Sequence, residues 1–183
     1  MAQIRMMVGL GAILFGLPLF AQNPTATGTI NATLINKNGI ALVFDTDPSG
    51  VTLGSSGSSA ATLDYGVISA FGPLSPGVTR PSVTAANFTV RTVFDVQVIQ
   101  GGLTSTSYTL QAQLASSLPT GFSFKIDGVT LANGPSSIQT NASYNVDVPH
   151  NLDLTVSTAA PGAGGPAVGA ALSTVINFQA SAN

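Results

Sequence analysis

One histidine, seven aspartates and neither cysteine nor glutamate are the raw material for chemistry in this 183-residue chain. The acids closest in sequence to His150 are Asp147 and Asp153. A Ser-His-Asp relay also needs an activated nucleophile, and the G-x-S-x-G elbow is absent. His150 follows Pro149 at what reads as a strand break, so a turn or edge histidine is expected. Paired carboxylates hydrolyse glycosides, but no two aspartates are singled out by spacing, and no Trp or Tyr cluster suggests a sugar subsite. One His without Cys is too little for zinc. Asp45-Thr46-Asp47-Pro48-Ser49-Gly50 has the oxygen spacing and glycine of the opening half of an EF-hand loop. Its twelfth position is Ser56, where a bidentate Glu belongs, and its flanks read as strands. A plain Asx-type loop without metal is expected there, with structural calcium as the alternative. Residues 162–169 match neither G-x-G-x-x-G nor the P-loop. Sequons at Asn31, Asn87 and Asn141 are at chance level in a chain this rich in Asn, Ser and Thr. Alternate threonines at Thr25, Thr27 and Thr29, and at Thr104 and Thr106, are too few for an ice-binding array. Scarcity of His, Glu, Lys and Cys leaves few groups for catalysis, so no enzyme activity and no cofactor are expected.

The elements that must carry these residues follow from composition. Charged residues are 7% of the chain, against about 25% in a typical soluble domain. The five bases, Arg5, Lys37, Arg80, Arg91 and Lys125, are scattered, which removes the electrostatic footprint of a nucleic-acid binder. Good helix formers are scarce, and β-branched residues abundant. The length suits one domain. Residues 1–21 read as a signal peptide: Arg5 precedes the apolar run 6–20, and Ala21 supplies a small residue for cleavage. The run falls short of the ~20 residues needed to span a bilayer. An uncleaved anchor is the alternative. Removing Arg5 leaves four bases against seven acids. The expectation is a protein exported to the medium or the cell surface, with residues 22–183 as its single domain and no membrane span in the mature chain.

Period two dominates that domain. Residues 26–35 alternate small or apolar residues with Thr and Asn, and Lys37-Asn38-Gly39 signals a turn. The predicted core takes Ile30, Leu42, Phe44, Phe88, Val90, Phe94, Val96, Leu110, Phe122, Phe124, Tyr144, Val146, Leu154, Ile176 and Phe178 from successive rows. Residues 71–81, with three prolines and two glycines, read as a long loop, and 159–169 as another. Asp127-Gly128 is a two-residue hairpin signal. Ile138, Ala142, Tyr144, Val146 and Val148 read as one inward row, and Pro149 as a break in the ladder. Eight to ten short strands with frequent turns argue for an all-β fold, an antiparallel two-sheet sandwich.

Three segments then carry a resemblance. Residues 26–36 (ATGTINATLIN), 63–68 (LDYGVI) and 172–178 (LSTVINF) are similar to the spore coat U and chaperone–usher pilin type of domain. The resemblance implies a small secreted Ig-like sandwich that polymerises on a bacterial surface, self-association through edge strands, and a periplasmic chaperone as partner. It further implies that one strand is supplied by a neighbouring subunit. Residues 26–34 have the alternation for such a strand; pairing within their own sheet is the other reading. The function so implied is a non-catalytic structural or adhesive subunit of a cell-surface fibre or coat. A monomeric carbohydrate-binding or adhesion module is the alternative, and it predicts exposed aromatic side chains.

Overall fold

Among the described residues the alternation in the sequence becomes eleven strands: β1 (Thr25–Ala32), β2 (Ile40–Asp45), β3 (Ala60–Val67), β4 (Thr79–Val83), β5 (Asn87–Gln100), β6 (Ser107–Leu114), β7 (Phe122–Ile126), β8 (Val129–Thr130), β9 (Ser136–Ser143), β10 (Asp147–Ser157) and β11 (Ala171–Ala182). The structure is a computed structural model. It describes residues 39–160, 163–166 and 169–183, and the main chain of 25–32. The expected signal peptide, Lys37-Asn38 and the side chain of Ile30 lie outside the described residues. No helix occurs among the described residues.

Two sheets form, in the orders β3-β1-β11-β6-β9 and β2-β5-β10-β7-β8, with β4 also paired to β5. Every ladder is antiparallel except β1–β11, which is parallel. The two antiparallel sheets expected from the sequence are present, with this one parallel pair as the exception. Parallel neighbours need a long crossover, and here the rest of the domain serves as one.

β5 organises its sheet. Phe88, Val90, Thr92, Phe94, Val96 and Val98 are buried along one side, and their neighbours are half-exposed. One edge of β5 is shared: β2 pairs with Asp95–Gln100 and β4 with Phe88–Arg91. Thr92 occupies the gap between them. Its hydroxyl accepts from the Val51 N–H at 2.9 Å and donates to the Gly77 carbonyl at 2.9 Å. The chain can approach this closely because Gly50 and Gly77 have no side chain. A Cβ on Gly50 would lie 1.8 Å from the Val93 oxygen, and one on Gly77 2.1 Å from the Gly50 oxygen.

Inward rows from both sheets meet in one apolar cluster. Phe44 and Phe94 of one sheet meet Phe178 of the other at ring separations of 5.1 and 5.9 Å, edge to face, the preferred aromatic geometry. Tyr65 of β3 crosses between the sheets, its buried hydroxyl donating to the Leu152 carbonyl at 2.7 Å.

Most of the predicted core is buried, with two departures. Val146 is 51% exposed. The row expected from Ile138 to Val148 is broken at Tyr144–Val146, where Asn145 takes φ 60° and donates its N–H to the Val98 carbonyl at 2.8 Å. That reversal ends β9 and starts β10. Phe122 is only partly buried. Pro149 lies within β10 rather than breaking it. It is paired to β5, at the end where β7 does not reach, so β10 has one fewer ladder to satisfy there. Within residues 71–81, expected to be loop throughout, Thr79 already begins β4.

Candidate functional site

The position of β1 is the first feature that bears on assembly. This strand is the first among the described residues, yet it lies inside a sheet, between β3 and β11. It runs beside β11 in unbroken register from Thr25↔Ala171 to Ala32↔Phe178. Against β3 the register shifts once, between Ala26 and Thr27, next to Gly66 at φ 65°. The strand read from the sequence as a candidate for donation is thus paired within its own sheet here. Strands sit about 4.8 Å apart, so without β1 a slot one strand wide would separate β3 from β11.

The sheet edges differ in how they are protected. β4 carries Arg80 and Pro81, and β8 has two residues; charge, proline and shortness all discourage further pairing. The outer side of β2 is bridged where the Phe44 N–H donates to the Ser58 carbonyl at 2.9 Å. β9 (SSIQTNAS) is uncharged, largely accessible and bent by two register shifts against β6, with Asn141 at φ 54°.

His150 is buried on the inner face of β10, within the strand rather than in a turn, and its strand is paired there to β5 alone. Its acid partner is neither Asp147 nor Asp153. Its Nδ1 lies 2.6 Å from Oδ2 of Asp127, which the β7–β8 turn delivers. Asp127 and Gly128 take φ 48° and 84°, the consecutive positive values of a type I′ hairpin turn. The other carboxylate oxygen of Asp127 accepts from the Asn151 N–H at 2.8 Å. Partial burial disfavours the ionised carboxyl, but the bonds from His150 and Asn151 outweigh it, and the Asp127 pKa is lowered. The Nε2 of His150, where a catalytic dyad would meet its nucleophile, is enclosed without a hydrogen bond, and Phe94 lies 5.9 Å from the imidazole ring. Asp153, on the opposite face of β10, is taken by Arg91 in a two-point pair of 2.6 and 2.8 Å.

Four aspartates gather at one end of the β5 sheet. Asp45 and Asp95 are cross-strand partners, Asp147 on β10 faces Gln97, two residues along from Asp95, and Asp47 is in the loop after β2. Burial, then the charges of Asp47, Asp147 and Asp45, raise the pKa of Asp95. Asp47 accepts from the Ser49 N–H at 2.7 Å and from the Ser49 hydroxyl, and the Gly50 N–H returns to the Asp47 carbonyl at 3.0 Å. This is the Asx-type turn that the sequence suggested. No group of three or more His or Asp side chains among the described residues is arranged to hold a metal ion.

The outer face of the other sheet is chemically distinct. On β6 and β11, Gln111 pairs with Gln179 and Gln113 with Asn177. These four amides, with Pro135 as a wall, line a shallow cleft of about 130 Å³. Only one long bond, Gln111 Nε2 to Ser137 Oγ at 3.4 Å, ties any of these amides to another described residue. Gln111 and Gln113 alternate with the inward Leu110, Ala112 and Leu114, and Asn177 and Gln179 with the inward Ile176, Phe178 and Ala180, so the period of each strand marks all four as outward. Their meeting across two strands 60-odd residues apart needed the fold. Tyr65, Tyr108 and Tyr144 are all buried. Phe71, at 87%, is the most exposed large apolar side chain among the described residues. Its loop is braced by Arg80, which donates to the Ser69 and Gly72 carbonyls at 3.0 and 2.6 Å. Phe71 was not singled out from the sequence.

No protein-family model matches the chain, and no curated protein matches it.

Proposed function

We propose that this chain is a non-catalytic structural or adhesive subunit of a bacterial cell-surface fibre or coat, an exported Ig-like β-sandwich that assembles through β-strand pairing. The observation that carries this reading is the seat of β1 between β3 and β11. A strand held on both sides by main-chain bonds can be exchanged for the same strand of a second copy with every bond re-formed, so association costs little beyond lost freedom of the partners. Reciprocal exchange closes a dimer, whereas head-to-tail exchange leaves both ends open and makes a fibre. The low charge supports the same reading. β1 has no ionisable side chain, and a chain with few charges has weak long-range repulsion between copies. Two sheets whose inward rows share one apolar core support the sandwich part of this description.

The absence of cysteine makes the test direct. Thr29 and Val175 are register partners across β1 and β11, so Thr29→Cys with Val175→Cys places two thiols at neighbouring strand positions. Oxidised at high protein concentration, the variant is expected to yield a ladder of covalent multimers on a non-reducing gel. A product that stays monomeric in mass at every concentration, with both thiols consumed, would overturn assembly through β1.

A further inference from the structure

Charge is divided unequally between the two sheets. Among the described residues, Asp64 is the only Asp, Lys, Arg or His on the strands of the β3-β1-β11-β6-β9 sheet. Asp45, Arg91, Asp95, Lys125, Asp147 and Asp153 all belong to strands of the other sheet. The amide cleft lies on the nearly uncharged sheet, and no charged residue lines it.

We infer that this cleft binds a neutral polysaccharide, with the amides of Gln111, Gln113, Asn177 and Gln179 engaging its hydroxyl groups. This deepens the adhesive reading above and rests on it. A primary amide presents two N–H donors beside a carbonyl acceptor, which matches a pair of adjacent sugar hydroxyls, each both donor and acceptor. Two cross-strand pairs, Gln111 with Gln179 and Gln113 with Asn177, set four such groups in a grid. Strand spacing makes it about 5 Å across, and the rise of the strand about 7 Å along. Gln113, Asn177 and Gln179 make no side-chain bond to another described residue, so a ligand need not break a protein contact to reach them. Without a cation or an anion in the lining, the cleft gives a charged glycan nothing in return for its desolvation. Pro135 offers an apolar edge to the C–H face of a sugar ring.

A second copy of the chain fits less well. Like surfaces meeting about a two-fold axis must be self-complementary, and two facing clefts would enclose a void. The size sets the strength. Pockets for drug-sized ligands run to about 300–1,000 Å³, so about 130 Å³ takes roughly one sugar unit, with binding in the millimolar range. Repetition of weak sites along a fibre would raise the overall avidity by about 10²–10⁴.

The test is a nuclear magnetic resonance titration of the purified, isotope-labelled protein, held dilute, with cellohexaose, maltohexaose and N-acetylchitohexaose, and with hexagalacturonate as the charged counterpart. At least one neutral hexamer is expected to shift the side-chain amide signals of these four residues in a saturable way. Gln113→Ala with Gln179→Ala should weaken that binding at least tenfold, while the melting temperature shows the fold intact. Gln113→Glu should do the same through charge alone. The inference fails if no neutral hexamer moves these signals, if hexagalacturonate binds equally well, or if the variants bind as before. It also fails if the same signals shift with protein concentration in the absence of sugar, which would assign the cleft to a second copy. The titration reads one site on one subunit and the disulfide trap reads assembly, so either result can fail without the other.

Discussion

His150 Nδ1 lies 2.6 Å from Asp127 Oδ2, so the single histidine of the chain fastens the β7–β8 turn to the inner face of β10. The carboxylate accepts and the ring N–H donates. Nε2 is enclosed without a hydrogen-bond partner. The pair is a structural clasp between an irregular turn and a central strand. The same turn is held by the Asp127 N–H donating to the Asn151 carbonyl at 3.0 Å.

This clasp makes stability depend on pH. The Asp127 pKa is lowered in the folded protein, so its ionised form contributes stability that is complete above the ordinary carboxylate value of about 4. The contribution is lost as pH falls through the lower, folded-state value. Asp127→Asn should destabilise the protein by about 1.5–3 kcal/mol at pH 7, the range for hydrogen bonds to charged groups. Urea unfolding of both proteins from pH 7 down to pH 2 checks this. The gap between them should narrow only below pH 4, and a gap independent of pH would show that the carboxylate charge does not matter.

Asp95 is expected to act in the opposite sense. Burial and the neighbouring acids raise its pKa, so the folded state holds the proton more tightly than the unfolded one. Ionisation of this group therefore costs stability as pH rises above about 4. Asp95→Asn removes a like-charge cross-strand pair with Asp45 and should stabilise the protein by about 0.2–1 kcal/mol at pH 7. The gain should fade at low pH. Thermal melts at pH 7 and pH 3 measure it, and a loss of stability at pH 7 would show that Asp95 has a favourable partner.

Thr92→Val tests the gap in the edge of β5. The two side chains have similar shape, but valine cannot serve the Val51 N–H or the Gly77 carbonyl. Leaving buried main-chain groups unpaired costs about 1–3 kcal/mol. Denaturant unfolding should show a loss in that range, and hydrogen exchange at Val51 should speed up. An unchanged midpoint with unchanged exchange would mean that the 45–51 loop is held by other contacts.

The alternation of the sequence determined which residues point inward. Along β5, β6 and β11 a residue and its next-but-one neighbour share a face, so Phe94, Leu110 and Phe178 could be assigned to the core without partners being known. Asp127-Gly128 likewise determined its own hairpin, because positive φ at two successive positions is a local demand. What alternation cannot carry is the identity of a neighbour. Thr92 interrupts an apolar row, and only the gap between β2 and β4 explains why a hydroxyl belongs there. His150 read as a turn residue because Pro149 marked a break, and the acid that holds it comes from 23 positions away. Val146 fitted the period but fell after a reversal that Asn145 makes with the far end of β5. β1 looked like a strand from its pattern, while its parallel seat beside β11 was decided by the closing of the sheet. Local sterics and side-chain period act over a few residues and are written in the chain. Pairing between strands is chosen by the shared burial of many rows at once, and only the assembled tertiary structure makes that choice.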